Sequence, residues 1–290
     1  MVQKWLQQYL KECPQNSCDK NRGTFLDSWN FMIDKITSIV YAGGTDRGKV
    51  RQLNEDSILM SEFDNSDVIL LLVADGVGGH EGGEIASQLA ADTMQEYVAK
   101  AVLQAHSGGG YGSGWLELTL LHAMTETNLK IIEQQKISEN LRKMATTLVA
   151  ILIHQNEIAL SYLGDSRCYQ FIHNQLKQIT EDHTVLQKLL SEGKINQQEY
   201  EVMPMHHIIS QAIGLNSKPD IAVSRFKFNQ HSCYLLCSDG LTNCVADAQI
   251  QHILEKHEYL ENAVDELITR ANDNGGTDNI SVVLVKRGGV

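Results

Sequence analysis

The chain alternates between two kinds of apolar patterning. Short unbroken apolar runs bounded by Gly, Asn, Asp or Ser predict strands. They read ITSIVYAGG (36–44), SILMSEF (57–63), VILLLVA (68–74), TTLVAILIH (146–154), EIALSYLG (157–164), CYQFIHN (168–174), DIAVSRFKF (220–228), SCYLLCS (232–238) and NISVVLVKR (279–287). A turn is expected over 43–48, and DNSD (64–67) reads as a hairpin loop. The second pattern has helical spacing. Ile85, Leu89, Met94, Tyr97, Val98, Ala101 and Val102 share one face, with Glu84 in the first turn. A second helix is expected from Trp115 to about Gln135, after a flexible break, HSGGGYGSG, at 106–114. Further helices are expected at about 184–192, 246–256 and 260–273. Helices come in groups and so do strands, which predicts an α+β layered sandwich and not a parallel Rossmann-type sheet.

Composition narrows the class. The 290 residues are 42% hydrophobic, enough for one large core. Only 3 prolines are present and no second-domain boundary is visible, so residues 36–290 read as one domain behind an N-terminal extension, 1–35. Trp5, Leu6, Tyr9 and Leu10 have the spacing expected for one face of a short helix in that extension. The formal charge of −12 repels phosphate backbones and argues against nucleic-acid binding. None of the 6 cysteines forms a CxxC pair, so they read as reduced core thiols. The start of the chain is too polar for a signal sequence. The longest apolar run, 68–74, falls far short of the ~20 residues a membrane helix needs. A cytoplasmic monomer without membrane contact is expected.

Candidate chemistry begins where the apolar run 68–74 meets Asp75. A strand this hydrophobic is buried on both faces, so a carboxylate at its end must be paired or metal-bound. Gly76-Val77-Gly78-Gly79 follows and brings bare backbone carbonyls within reach. A simple turn would account for this stretch alone. The pattern recurs, however, at Asp165 and Asp239, and in mirror form at Asp278, each beside glycine and an apolar run. Glu55 and Asp56 enter the strand before Asp75. Oxygen donors of this kind suit Mg²⁺ or Mn²⁺ rather than Zn²⁺. Two such ions sharing a carboxylate can ionise a water for in-line attack on phosphorus. Arg51 would then supply a forked cation for phosphate oxygens.

RQLNED, DGVGGH, ATTLVA, GDSR, EDHT, SQAIG, CSDGLTN and GGTDNISVVLV occur in this order. Together, over about 36–286, they resemble the metal-dependent serine/threonine phosphatases of the protein phosphatase 2C type, in their bacterial form. The resemblance implies a four-layer αββα sandwich, two central antiparallel sheets flanked by helices. It implies two Mn²⁺ or Mg²⁺ ions, with Asp75 bridging and Gly76 lending its carbonyl. Asp239 and Asp278 complete one shell, Glu55 and Asp56 act through waters, and Asp165 takes a third ion. Arg51 matches the phosphate-binding arginine. The flap falls at about 185–208, from Val185 through Met203 to His206 and His207.

Departures from the family pattern are equally specific. Animal members carry a histidine right after the Asp-Gly pair, where this chain has Val77. His80 then either donates a proton to the leaving group or braces its loop. Where bacterial relatives have an Arg-Asn pair at the flap's end and an Arg before Ala-x-Gly, this chain has His206-His207 and Gln211. His183 is expected to order the loop before the flap. Thr146 and Thr147 are expected to pack near the site, and Thr277 and Asn279 to hold the Asp278 loop. The implied substrates are phosphoserine and phosphothreonine proteins, a bacterial Ser/Thr kinase or its targets among them. The alternatives are a catalytically silent phosphatase-like scaffold and a small-molecule phosphoesterase.

Overall fold

The structure is a computed structural model. It describes residues 39–77, 82–108, 110–205 and 208–288. In chain order the strands are β1 (Ile39–Asp46), β2 (Asp56–Glu62), β3 (Val68–Val77), β4 (Ala145–Thr146), β5 (Leu148–His154), β6 (Glu157–Leu163), β7 (Arg167–Ile172), β8 (Gln175–Gln178), β9 (Val223–Lys227), β10 (Cys233–Cys237) and β11 (Ile280–Arg287). The helices are α1 (Gly82–Gly108), α2 (Trp115–Gln134), α3 (Val185–Ser191), α4 (Gln197–Val202), α5 (Asp239–Thr242), α6 (Asp247–Lys256) and α7 (Leu260–Asp273).

Every strand pairing is antiparallel. One sheet runs β1-β11-β10-β7-β8, and the other β2-β3-β5-β6-β9 with β4 added to β3. Alternation along β3 explains the layering, because successive side chains leave a strand on opposite faces. Leu70, Leu72 and Ala74 pack with Met94, Val98, Leu120 and Met124 of α1 and α2. Ile69, Leu71 and Val73 pack against Tyr234, Leu236, Val283 and Val285 of the facing sheet. Leu235, Val282 and Leu284 point the other way, onto Ile250 and Ile253 of α6 and Val264 and Leu267 of α7. The result is helix, sheet, sheet, helix, the expected sandwich of two antiparallel sheets. Among the described residues no helix is long and apolar enough to cross a membrane. The extension 1–35, with Trp5 and Tyr9, lies outside the described residues.

Two strands outrun their expected ends. No turn begins at Gly43, because β1 continues to Asp46 with Gly43 and Gly44 opposite Val283 and Val282. A Cβ on Gly44 would lie 2.9 Å from Ile268 Cδ1, so the missing side chain lets α7 seat on the sheet. Likewise β3 does not stop at Asp75. Gly76 and Val77 find partners in Thr146 and Ala145 of β4. The structure also adds β8, a polar strand reading QLKQ, and α4, which opens on a capping box between Asn196 and Glu199.

Candidate metal centre

The acidic residues converge at one end of the sheets. Asp56 opens β2 and lies directly across from Asp75. The backbone of Asp75 is held on both sides: its N–H donates to Thr147 Oγ1 (3.0 Å), and its carbonyl accepts from Thr147 N (2.8 Å) and Thr146 Oγ1 (2.9 Å). Thr147 and Ser166 share a hydroxyl hydrogen bond of 2.7 Å, tying this strand to the Asp165 turn. Gly76 N–H donates to Glu55 O at 3.1 Å. A Cβ at Gly76 would stand 2.2 Å from Gly83 O and 2.6 Å from Glu55 O, so only glycine lets these three segments close up.

Asp239 begins α5, where Asn243 Nδ2 donates to its Oδ2 at 3.0 Å. The preceding Ser238 hydroxyl donates to Asp56 Oδ2 at 2.8 Å and accepts from Ser281 N–H at 3.0 Å. Asp278 stands just before β11. Its Oδ1 accepts from Asn279 N–H (2.8 Å), and its Oδ2 accepts from Arg51 Nη2 (2.7 Å). Arg51 Nη1 is also 3.9 Å from Glu55 Oε2. Asn279 is buried and clamps the Arg51 loop. Its Oδ1 accepts from Glu55 N–H at 2.8 Å, and its Nδ2 donates to Arg47 O and Leu53 O, both at 2.9 Å.

Burial and mutual repulsion act together on Asp56, Asp75, Asp165 and Asp239. Desolvation is the largest cause at each. Asp56 is pushed up to about 7, opposed by its Ser281 and Ser238 hydrogen bonds and reinforced by the Asp239 and Asp278 charges. Asp75 rises well above the usual range through burial and then Asp56, Asp239, Asp165 and Asp278. Asp165 reaches about 7 by burial and the Asp239 charge, and Asp239 is raised by burial and Asp278. Burial works against the Arg51 charge, but Asp278, Glu55 and Asp75 outweigh it, so its pKa ends raised.

The donor chemistry fits divalent cations. Glu55 Oε1, Asp56 Oδ1 and Asp239 Oδ1 are buried oxygens with no hydrogen-bond partner. Asp75 feels the charges of Asp56, Asp239, Asp165 and Asp278 together, so negative charge crowds this point. A buried, anion-rich, oxygen-only cluster is what a hard cation relieves. The cage is not closed: among the described residues no three His, Cys, Asp or Glu side chains gather tightly enough to hold an ion ready-made. Arg51, Asn243 and Ser238 engage oxygens of Asp278, Asp239 and Asp56 instead.

His80, His206 and His207 lie outside the described residues. Val185 opens α3 and Met203 follows α4, so the segment expected to form a flap contains two short helices. His183 accepts from Gly164 N–H at 3.3 Å and stacks on Tyr162, centroids 4.9 Å apart. Sequence reasoning missed Ser238, Asn243 and Ser166, although a Ser before Asp-Gly is a helix-start signal. It also missed the role of Arg167, whose Nε and Nη2 donate to Asp182 at 2.7 to 3.0 Å.

Two facing sheets with an oxygen-donor cluster and an adjoining guanidinium define a metal-dependent hydrolase of phosphate esters. A family model described as protein phosphatase 2C matches residues 43–284. The serine/threonine phosphatase stp of Listeria innocua is 35% identical over 246 residues, 84% of this chain and 94% of that protein. A structure of the S. agalactiae serine/threonine phosphatase has TM-score 0.78 and 29% identity, covering 87% of this chain and 100% of that one. The catalytic domain of the serine/threonine protein phosphatase PstP, in complex with two manganese ions, has TM-score 0.69 and 34% identity, covering 86% and 97%. The chain belongs to the protein phosphatase 2C family.

Proposed function

We propose that the cluster around Asp75 holds two Mn²⁺ or Mg²⁺ ions and that Arg51 receives the phosphate which this serine/threonine protein phosphatase removes. The carrying observation is the set of buried, partnerless oxygens on Glu55, Asp56 and Asp239 beside a half-exposed Arg51. Asp75, Glu55, Asp56, Asp239, Asp278 and the Gly76 carbonyl would hold the pair, with Asp165 beside a third. Such ions, when bound, polarise phosphoryl oxygens and turn water into a nucleophile at neutral pH.

The chain's own residues position the reactants. Arg51 stays charged at every relevant pH and presents a planar fork. One N–H is committed to Asp278, which fixes the plane and leaves other donors of the fork to bind a phosphoryl group. Thr146 and Thr147 fix the Asp75 backbone, Ser238 orients Asp56, and Asn243 orients Asp239. The products are the free serine or threonine hydroxyl and inorganic phosphate. His80 serves the loop after Gly76 as brace or proton donor.

The substrates are phosphoproteins. We assign among them a bacterial Ser/Thr kinase or its targets, met in the cytoplasm by a monomer. Residues 36–290 do the catalytic work, and 1–35 form an extension to it. A silent scaffold is the weaker reading, since Asp75, Asp239 and Asp278 are all present. The test is release of phosphate from a phosphothreonine peptide with Mn²⁺, with and without chelator. Turnover that needs the metal supports the reading. No turnover with Mn²⁺, or turnover that survives full chelation, refutes it.

A further inference from the structure

The β1–β2 loop carries more positive charge than phosphate binding at Arg51 requires. Arg47, Lys49 and Arg51 fall within five residues of a chain whose formal charge is −12. All three are exposed. The loop beneath them is clamped from several directions. Asp46 Oδ1 accepts from Gly48 N–H (2.8 Å) and Asn272 Nδ2 (3.0 Å), Gly276 O accepts from Lys49 N–H (2.8 Å) and Val50 N–H (3.2 Å), and Asn279 holds Arg47 O and Leu53 O. A Cβ on Gly48 would lie 2.2 Å from Asp278 O, so the loop also presses on the metal centre itself.

The three cations are committed unequally. Arg51 is tied to Asp278 and Glu55. Lys49 lies 3.8 Å from Asp273, with both side chains more than half exposed. Arg47 has no ion pair within 4 Å among the described residues. Its Nη1 donates to Gln52 O at 3.3 Å, which lays the guanidinium back along the loop beside the residue that follows Arg51. A clamped backbone thus holds a charged fork, with one N–H given to Gln52 O and no carboxylate among the described residues within 4 Å, four residues before Arg51 in the same loop. Forks of this kind recognise carboxylate and phosphate oxygens.

Resting on the phosphatase reading above, we propose that Arg47, assisted by Lys49, forms an anion subsite beside the phosphate site. It reads a second negative side chain near the phosphorylated residue of the substrate. That side chain is an Asp or Glu, or a neighbouring phosphoserine or phosphothreonine. The subsite makes the enzyme prefer acidic or multiply phosphorylated segments over isolated phosphoresidues.

The experiment measures kcat/KM with Mn²⁺ on matched phosphothreonine peptides. They carry Ala, Glu or phosphothreonine two or three residues to either side of the scissile group, and p-nitrophenyl phosphate is the control. Wild type should favour the anion-flanked peptides by about three- to tenfold, the scale of one or two solvent-exposed ion pairs. The preference should shrink as salt rises. Arg47→Ala should abolish most of it, Lys49→Ala part of it, and Arg47→Glu should invert it, all with p-nitrophenyl phosphate turnover unchanged. A larger gain from phosphothreonine than from Glu identifies multiply phosphorylated segments as the source, and equal gains identify any acidic flank. Equal kcat/KM on all peptides, or a preference that survives Arg47→Glu, would overturn the subsite while leaving the phosphatase reading intact. Failure to cleave every ester, the small control included, would overturn both.

Discussion

Asn279 is the side chain on which the Arg51 loop hangs, and its removal can be worked from the structure. It is 3% exposed. Its amide makes three hydrogen bonds, all to backbone: from Glu55 N–H, to Arg47 O and to Leu53 O. Asn279→Ala leaves one donor and two acceptors unsatisfied. At a net worth of about 1 kcal/mol each, the loss is about 3 kcal/mol. For a domain of this size that lowers the melting temperature by roughly 6–12 °C. Asn279→Asp is the sharper test, because it is isosteric. Asp keeps the acceptor for Glu55 N–H but turns an oxygen toward two carbonyls that now sit 2.9 Å from the amide nitrogen. It should therefore destabilise at least as much as Ala. The assay is thermal and urea unfolding followed by circular dichroism in chelator, so that metal affinity does not enter. An Asn279→Asp protein within about 0.5 kcal/mol of wild type, the range of a neutral surface change, would refute the clamp.

Three further outcomes are expected. Asp239→Asn removes one charge from a repelling buried cluster, so the chelated protein should melt higher. Its Mn²⁺-induced rise in melting temperature should shrink, and turnover should fall by roughly 100-fold or more; near-normal turnover would sink the metal assignment. Arg51→Ala should lower kcat/KM by about 10- to 150-fold, the worth of a charged hydrogen bond, with little loss of stability because its side chain is 47% exposed. In chelator, stability should fall as pH rises. Asp56 and Asp165 keep their protons in the folded chain until about pH 7, whereas unfolding returns them to 3.8. Their contribution is thus complete below pH 3.8 and lost by about 7, at on the order of 1.4 kcal/mol per pH unit for each group. Unfolding titrations between pH 5 and 8 read this directly, and a flat profile would contradict it.

The layered fold was legible because the apolar runs are long and their burial is nearly complete. β3 announces itself by seven buried residues in a row, 68–74. β8 was hidden because QLKQ has one apolar residue, and it is a strand only because β7 offers it an edge. The reach of β3 past Asp75 depends on Ala145 and Thr146, about 70 residues away, which no local pattern encodes. In the site, the acidic residues could be read from their places beside strand ends and glycines. Their orienting partners could not. Ser238 and Asn243 acquire their roles only when β10 runs into α5 and sets Ser238 against Asp56. Asn279 was read as a loop holder from its neighbour Asp278, but the three backbone groups it grips lie more than 220 positions earlier.

The double burial of β3 has a consequence for how the enzyme can move. Amides from Leu70 to Val73 lie between two hydrophobic cores, so their hydrogen exchange waits on global unfolding. By contrast α3 buries a single residue, Leu186, and α4 buries none, which lets that region open at small cost. Asp75 therefore rides on a strand anchored in both cores, and opening of the α3–α4 segment need not disturb it.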